Sequence, residues 1–147
     1  MHNIDTLNTF LKDELAATET YQQAQDKLRE DVGLGEAEDL RPIYEDHKEA
    51  VSSLQALISR LGGTPCEDSG AWGTWAKIIQ GSANLLGKDT ALKSLQSGEK
   101  SGADAYQEAL QENELSSEIR SLIETKLLPA QQAHIRVLDR LLAVEAE

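Results

Sequence analysis

The chain has 147 residues and a formal net charge of −12, with 26 acidic residues against 14 basic ones. This length suits one domain over 1–147, and so negative a surface repels phosphate backbones and anionic lipids, which argues against nucleic-acid and membrane partners. Ala, Leu, Glu and Gln are abundant, aromatic residues make up 4% of the chain, and no stretch alternates as a strand does, so we predict an all-α protein.

Two amphipathic helices are predicted in the first half of the chain. Apolar and small residues recur at steps of three and four over about 4–30 and again over about 38–61. Two glycines within 31–35 predict a short turn, which makes the two helices antiparallel. A Gly-Gly pair followed by Pro65 ends the second helix.

The second half predicts a long crossover and then another pair of helices. The crossover contains both tryptophans and is expected to hold a short extra helix over about 71–86. Long helices follow over about 90–112 and 116–146, and Pro129 is expected to bend the last one. A long central link between two short-turn hairpins is the connection pattern of ferritin-like four-helix bundles.

The two halves of the chain repeat the same polar spacings. In each half a Glu precedes a Tyr by seven residues and a His follows a Pro by five: Glu14, Tyr21, Pro42 and His47, then Glu99, Tyr106, Pro129 and His134. Such a repeat implies two helical hairpins related by a pseudo-two-fold axis. Each Glu and its His are nearly equidistant from their turn, so we expect them within about one helical turn (~5 Å) of each other. The tyrosines are expected to be core residues with paired hydroxyls.

Four of these residues fall on the apolar stripe of their helix, here called the seam, where a hydrophobic side chain is usual: Glu14, His47, Glu99 and His134. A buried carboxylate is costly unless it is paired, hydrogen-bonded or bound to a metal. Glutamate and imidazole are good ligands for Fe, Mn and Zn. The four residues are therefore a candidate metal site, and a metal-free core of two Glu–His pairs is an equally open alternative.

Three stretches resemble the ferritin-like superfamily, and more narrowly a bacterial family of unknown function within it: DELAATETY at 13–21, LQALISRLGGTP at 54–65 and GEKSGADAY at 98–106. The spacing of seven between Glu and Tyr is similar to that of rubrerythrins. The resemblance implies a bundle whose core holds a metal on the four seam residues. It also implies a role in metal handling or in the response to oxidative stress.

The chain departs from the di-iron members of that superfamily at two positions. Those members carry a bridging Glu three residues before each His, and here the positions are Tyr44 and Gln131. Asp46, beside His47, is expected to point away from the seam and not to substitute. We therefore expect a reduced metal site that does not act as a classical di-iron ferroxidase or peroxidase, and the sequence leaves open whether the protein has any enzymatic activity. In the metal-free alternative, the protein is a self-associating stress or interaction module, a possible homodimer, and a His47→Leu variant is at least as stable as the wild type.

The compartment is inferred from cysteine usage and from the N-terminal sequence. Cys66 is the single cysteine, so no internal disulfide can form, which fits a reducing environment. The first residues lack the basic and apolar regions of a signal peptide, and no apolar stretch is long enough to span a bilayer. These features predict a cytoplasmic protein.

Overall fold

A computed structural model describes residues 2–32, 34–67 and 88–146, and within these residues the chain is helical with no strand. The helices are α1 (His2–Val32), α2 (Leu34–Arg60), α3 (Lys88–Leu110), α4 (Ser117–Leu122), a π-helical turn (Ile123–Leu127) and α5 (Leu128–Ala146). The prediction of an all-α bundle is confirmed. None of the described helices is both long enough and apolar enough to cross a membrane.

Part of the predicted organisation lies outside the described residues. The crossover helix expected over 71–86 falls there, together with both tryptophans. The prediction of one domain over 1–147 includes these residues and stays a prediction.

The first hairpin consists of α1 and α2, which are separated by one residue in sequence and pack along their length. Gly62 adopts a φ of 88°, the left-handed conformation that glycine accepts at a helix end. Gly63 N–H then donates to Ile58 O at 2.9 Å, which satisfies a carbonyl in the last turn of α2. The following loop is tied back to α1 because the Asn8 side chain donates to Thr64 O at 3.1 Å.

The second hairpin pairs α3 with the stretch from α4 to α5. Arg120 closes the turn between them, since its guanidinium donates to Leu110 O at 2.7 Å and to Glu112 O at 2.9 Å. The π turn comes just before Pro129, where the sequence predicts a bend. Proline lacks an N–H and its ring crowds the carbonyl one turn earlier, and a wider turn relieves that crowding.

Two apolar clusters fill the bundle, one towards each end. The first is formed mainly by Leu7, Phe10, Leu11, Leu54, Leu57, Ile58, Tyr106, Ile119, Ile123 and Leu127. The second is formed by Ala16, Ala17, Tyr21, Ala24, Leu40, Ile43, Leu92, Leu95 and Leu138. The polar seam residues stand between these clusters along the helices and are at most 3% exposed: Glu14, His47, Glu99 and His134. The core is therefore apolar at both ends and charged in its middle layer.

Candidate metal centre

The four seam residues meet in the middle of the bundle. Glu14 Oε1 lies 2.5 Å from His47 Nδ1, and Glu99 Oε1 lies 3.1 Å from His134 Nδ1. Each Glu therefore faces the His of its own hairpin, as the spacing predicts. The same pair of atoms meets in both halves, which is the geometry expected of a pseudo-two-fold repeat.

His47 also joins the two hairpins to each other. Its Nε2 lies 2.7 Å from Glu99 Oε2, so the ring sits between a carboxylate of its own half and one of the other. The His47 and His134 ring centroids are 4.9 Å apart, and the Tyr21 ring stacks on His47 at 5.3 Å. The pseudo-symmetry ends here, because His134 has a different second partner.

That second partner is Asp46, whose Oδ2 lies 2.8 Å from His134 Nε2. Asp46 does not occupy a bridging position, but it contacts the centre through His134, which the sequence analysis does not predict. Successive residues on a helix are about 100° apart, so a residue beside a seam His leaves the seam and can reach a neighbouring helix. Asp46 reaches α5 in this way, and its side chain is 49% exposed, so the polar network extends to the surface.

The two repeated tyrosines cross between the hairpins. Tyr21 donates its hydroxyl proton to Glu99 Oε2 at 2.6 Å, and Tyr106 donates to Glu14 Oε2. Burial raises the pKa of both hydroxyls well above the usual value, and the neighbouring carboxylates add to the effect. Both tyrosines are therefore neutral donors. The sequence predicts that they are buried and paired but does not reveal that each serves the glutamate of the other half.

The protonation of the centre follows from its charges. Burial lowers the pKa of His47, but Glu99 and Glu14 outweigh this effect and hold that pKa well above its usual value. Burial raises the pKa of Glu99, but His47, helped by the contact with His134, outweighs it and lowers that pKa to about 2. Each ring nitrogen of His47 faces a glutamate, so the raised pKa favours the imidazolium form, in which His47 donates one N–H to each glutamate.

The two positions three residues before each seam histidine, Tyr44 and Gln131, do not supply a carboxylate. Gln131 is 2% exposed, and its amide donates to the backbone oxygen of Glu99 at 3.1 Å. Gly102 leaves room for that amide, since a Cβ at this position would stand 2.3 Å from Gln131 Nε2. Tyr44 is half-buried and lies under the ammonium group of Lys48. The centre therefore has the glutamates at 14 and 99 as its only inner carboxylates among the described residues.

Three of the four candidate ligands form a group that could hold a metal ion. His47, Glu99 and His134 each offer one ligand atom, and these atoms lie within 4.8 Å of one another. The nitrogens that face Glu99 are His47 Nε2 and His134 Nδ1, while the other nitrogen of each ring faces Glu14 or Asp46. Glu14 lies outside this group of three, and its role as a fourth ligand stays a prediction.

A cavity of about 130 Å³ adjoins the centre. Its buried wall includes Glu14, His47, Gln131 and His134. Its outer wall includes the exposed Asp46, Glu49 and Lys126. The cavity therefore runs from the buried histidines to the surface between α2 and the π turn.

These features define a helical bundle with a buried histidine–glutamate centre. The chain belongs to the family described as Domain of unknown function (DUF2383), which matches residues 2–112. The matched range contains Glu14, His47 and Glu99 and ends before His134. No curated protein and no solved structure matches the chain.

Proposed function

We propose that the protein is a ferritin-like metal-handling protein that binds one divalent transition-metal ion through His47, Glu99 and His134. The observation that carries this proposal is the convergence of the three side chains, with ligand atoms within 4.8 Å of one another in a buried layer. Two imidazoles and one carboxylate are a donor set that suits Fe²⁺, Mn²⁺ and Zn²⁺.

The surroundings of the two histidines support this proposal. Metal-bound histidines usually donate their second ring N–H to a carboxylate or carbonyl, which fixes the ring and strengthens it as a ligand. Glu14 stands in that position for His47 and Asp46 does so for His134, at 2.5 Å and 2.8 Å. Tyr21 holds Glu99 in the same way. Each of the three ligands thus has an orienting partner.

The same contacts favour one metal over two. A second ion needs a bridging carboxylate, and the described core has Gln131 and Tyr44 where bridges would stand. The Gln131 amide nitrogen is occupied by the backbone oxygen of Glu99. We therefore propose binding and storage or delivery of a single ion, without the paired-metal chemistry of an oxidase.

Metal binding must compete with a proton. His47 can bind a metal through Nε2 only after losing the proton that it shares with Glu99. Glu99 needs no such step, because its pKa of about 2 keeps it ionised. Binding should therefore release a proton near neutral pH and become tighter as the pH rises.

The test is metal content after gentle purification and after anaerobic loading of chelator-treated protein at pH 8. We expect one Fe²⁺, Mn²⁺ or Zn²⁺ per chain, and a higher melting temperature with the ion bound. The Glu99→Gln variant should lose the ion. Glu108→Gln, an equal change of charge at an exposed position of α3, should keep it. Wild-type protein that takes up no ion under these conditions would refute the proposal.

A metal-free structural core is the second candidate, and one observation favours it. Among the buried side-chain oxygen and nitrogen atoms of the described residues, Asn3 Oδ1 alone lacks a hydrogen-bond partner. The seam residues are thus satisfied by one another, by the tyrosines and by Asp46, as a permanent polar core requires. This candidate predicts that metal ions leave the melting temperature unchanged.

A further inference from the structure

We infer that the cavity between α2 and the π turn is the route by which the metal ion reaches the centre, and that Lys126 at its mouth slows entry. This inference rests on the proposed function, since it names the path to the same site. It assigns a role to a residue that is not one of the three proposed ligands.

The cavity joins exposed carboxylates at its mouth to the two proposed histidine ligands at its buried end. Its buried wall contains Glu14, His47 and His134, which are the two histidine ligands and the carboxylate behind one of them. Its outer wall contains Asp46 and Glu49, both on α2 and both exposed. A hydrated cation that approaches from solvent therefore meets carboxylates before it meets imidazoles. Such an acidic mouth raises the local concentration of cations.

Lys126 opposes that attraction at the same place. It is the only lysine or arginine among the described residues that line the cavity, and its Nζ lies 3.6 Å from Glu49 Oε1. This pair joins α2 to the π turn across the mouth. Both side chains are more than half exposed, so the pair is weak and can open. The ammonium group cancels one carboxylate and repels an incoming dication.

The π turn is what brings the ammonium group to the mouth. A π turn holds one extra residue, which rotates the preceding helix by about 100° relative to the following one. Lys126 and Leu127 both belong to this turn and both line the cavity. π turns are frequent at functional sites. Here the turn lies between Ile119 of α4, which belongs to the first apolar cluster, and the proposed ligand His134 of α5.

The inference is tested by the rate at which chelator-treated protein takes up Co²⁺, followed by stopped-flow absorbance at low salt. Lys126→Met should raise the association rate about fivefold, and the gain should shrink at about 0.5 M salt, where the Debye length is only a few ångströms. Lys48→Met is the matched control, because Lys48 is similarly exposed and pairs with Glu45 but does not line the cavity. Its rate should stay within about twofold of the wild type.

The outcomes separate the two proposals. Equal rates for the Lys126→Met and Lys48→Met variants, with normal uptake by the wild type, would overturn the entry route and leave the metal site standing. Absence of Co²⁺ uptake by the wild type would overturn both. A Lys126→Glu variant provides a second check, since reversal of the charge should accelerate uptake more than its removal does.

Discussion

The hydroxyl of Tyr21 donates to the carboxylate of Glu99 at 2.6 Å, from one half of the chain to the other. Tyr106 makes the reciprocal bond to Glu14. Each half thus supplies the donor that the other half's buried carboxylate needs. The repeat is more than a copied sequence pattern, because neither half satisfies its own glutamate fully.

Removing either crossing hydroxyl should destabilise the protein without altering its fold. Tyr21→Phe and Tyr106→Phe each take a donor from a buried carboxylate, which costs about 1.5–3 kcal/mol of unfolding free energy. Chemical denaturation measures this loss. Tyr44→Phe, at a half-buried tyrosine outside the centre, should cost clearly less. Equal losses at all three positions would show that the crossing bonds carry no special weight.

Replacing His47 by Leu should be strongly destabilising. The metal-free alternative of the sequence analysis predicts that leucine at this position costs no stability, but His47 contacts both Glu14 and Glu99. Leucine would leave two buried carboxylates without their cation, at a cost of about 3–5 kcal/mol. A triple variant that also changes both glutamates to Gln should recover part of that loss. A single variant as stable as the wild type would contradict the bridging role.

The stability of the metal-free protein should depend on pH through the same contacts. Glu99 has a lowered pKa, so its contribution is present above the unfolded value of 4.5 and is lost as the pH falls towards about 2. His47, which faces Glu14, Glu99, Tyr21 and His134, has a raised pKa. Its contribution is complete below its unfolded value of 6.5 and is lost as the pH rises through the higher native value.

Denaturation in the presence of a chelator should therefore show greatest stability between pH 4.5 and 6.5 and lower stability at pH 9. Repulsion among surface charges also grows with pH, but salt screens it, whereas the buried contacts are screened much less. The decline should thus persist in about 0.5 M salt. A stability at pH 9 that matches the value at pH 5.5 in high salt would contradict the protonation of His47 described above.

The effect of Gly102→Ala on stability should change sign when Gln131 is also replaced. In the wild type, Gly102→Ala forces the Gln131 amide away from the backbone of Glu99, and we expect a net loss of about 1 kcal/mol despite the better helix propensity of alanine. In a Gln131→Ala background the obstructing atoms are gone. The same substitution should then stabilise by up to about 1 kcal/mol. A double-mutant cycle by chemical denaturation measures the coupling, and additive effects would refute it.

The seam residues could be predicted from sequence because their pairing depends on distances within each hairpin. Helical spacing places Glu14 on the apolar face of α1 and His47 on that of α2. The short turn between the helices then brings the two residues to the same height along the hairpin. The contacts between hairpins could not be predicted in this way, because the rotation of one hairpin against the other is decided by the packing of the whole core. The Tyr21–Glu99 bond and the reach of Asp46 to His134 both depend on that rotation.

Two further features lie beyond spacing rules. Gln131 looks like a lost ligand in the sequence, and only its depth beside Gly102 shows that it is used to hold the backbone of Glu99. The π turn before Pro129 is a local response to a proline, which the sequence predicts only as a bend. The signal that could have revealed the role of Gln131 is Gly102, a glycine on α3 opposite a polar seam position of the last helix.

The most direct test of the proposed centre is an ¹⁵N NMR measurement of the histidine ring nitrogens with and without Zn²⁺. We predict that His47 Nε2 and His134 Nδ1 become metal-bound at one Zn²⁺ per chain. His47 Nδ1 and His134 Nε2 should keep protons shared with Glu14 and Asp46. If His47 instead remains doubly protonated in excess Zn²⁺ at pH 8, the metal centre is contradicted and the core is a structural network.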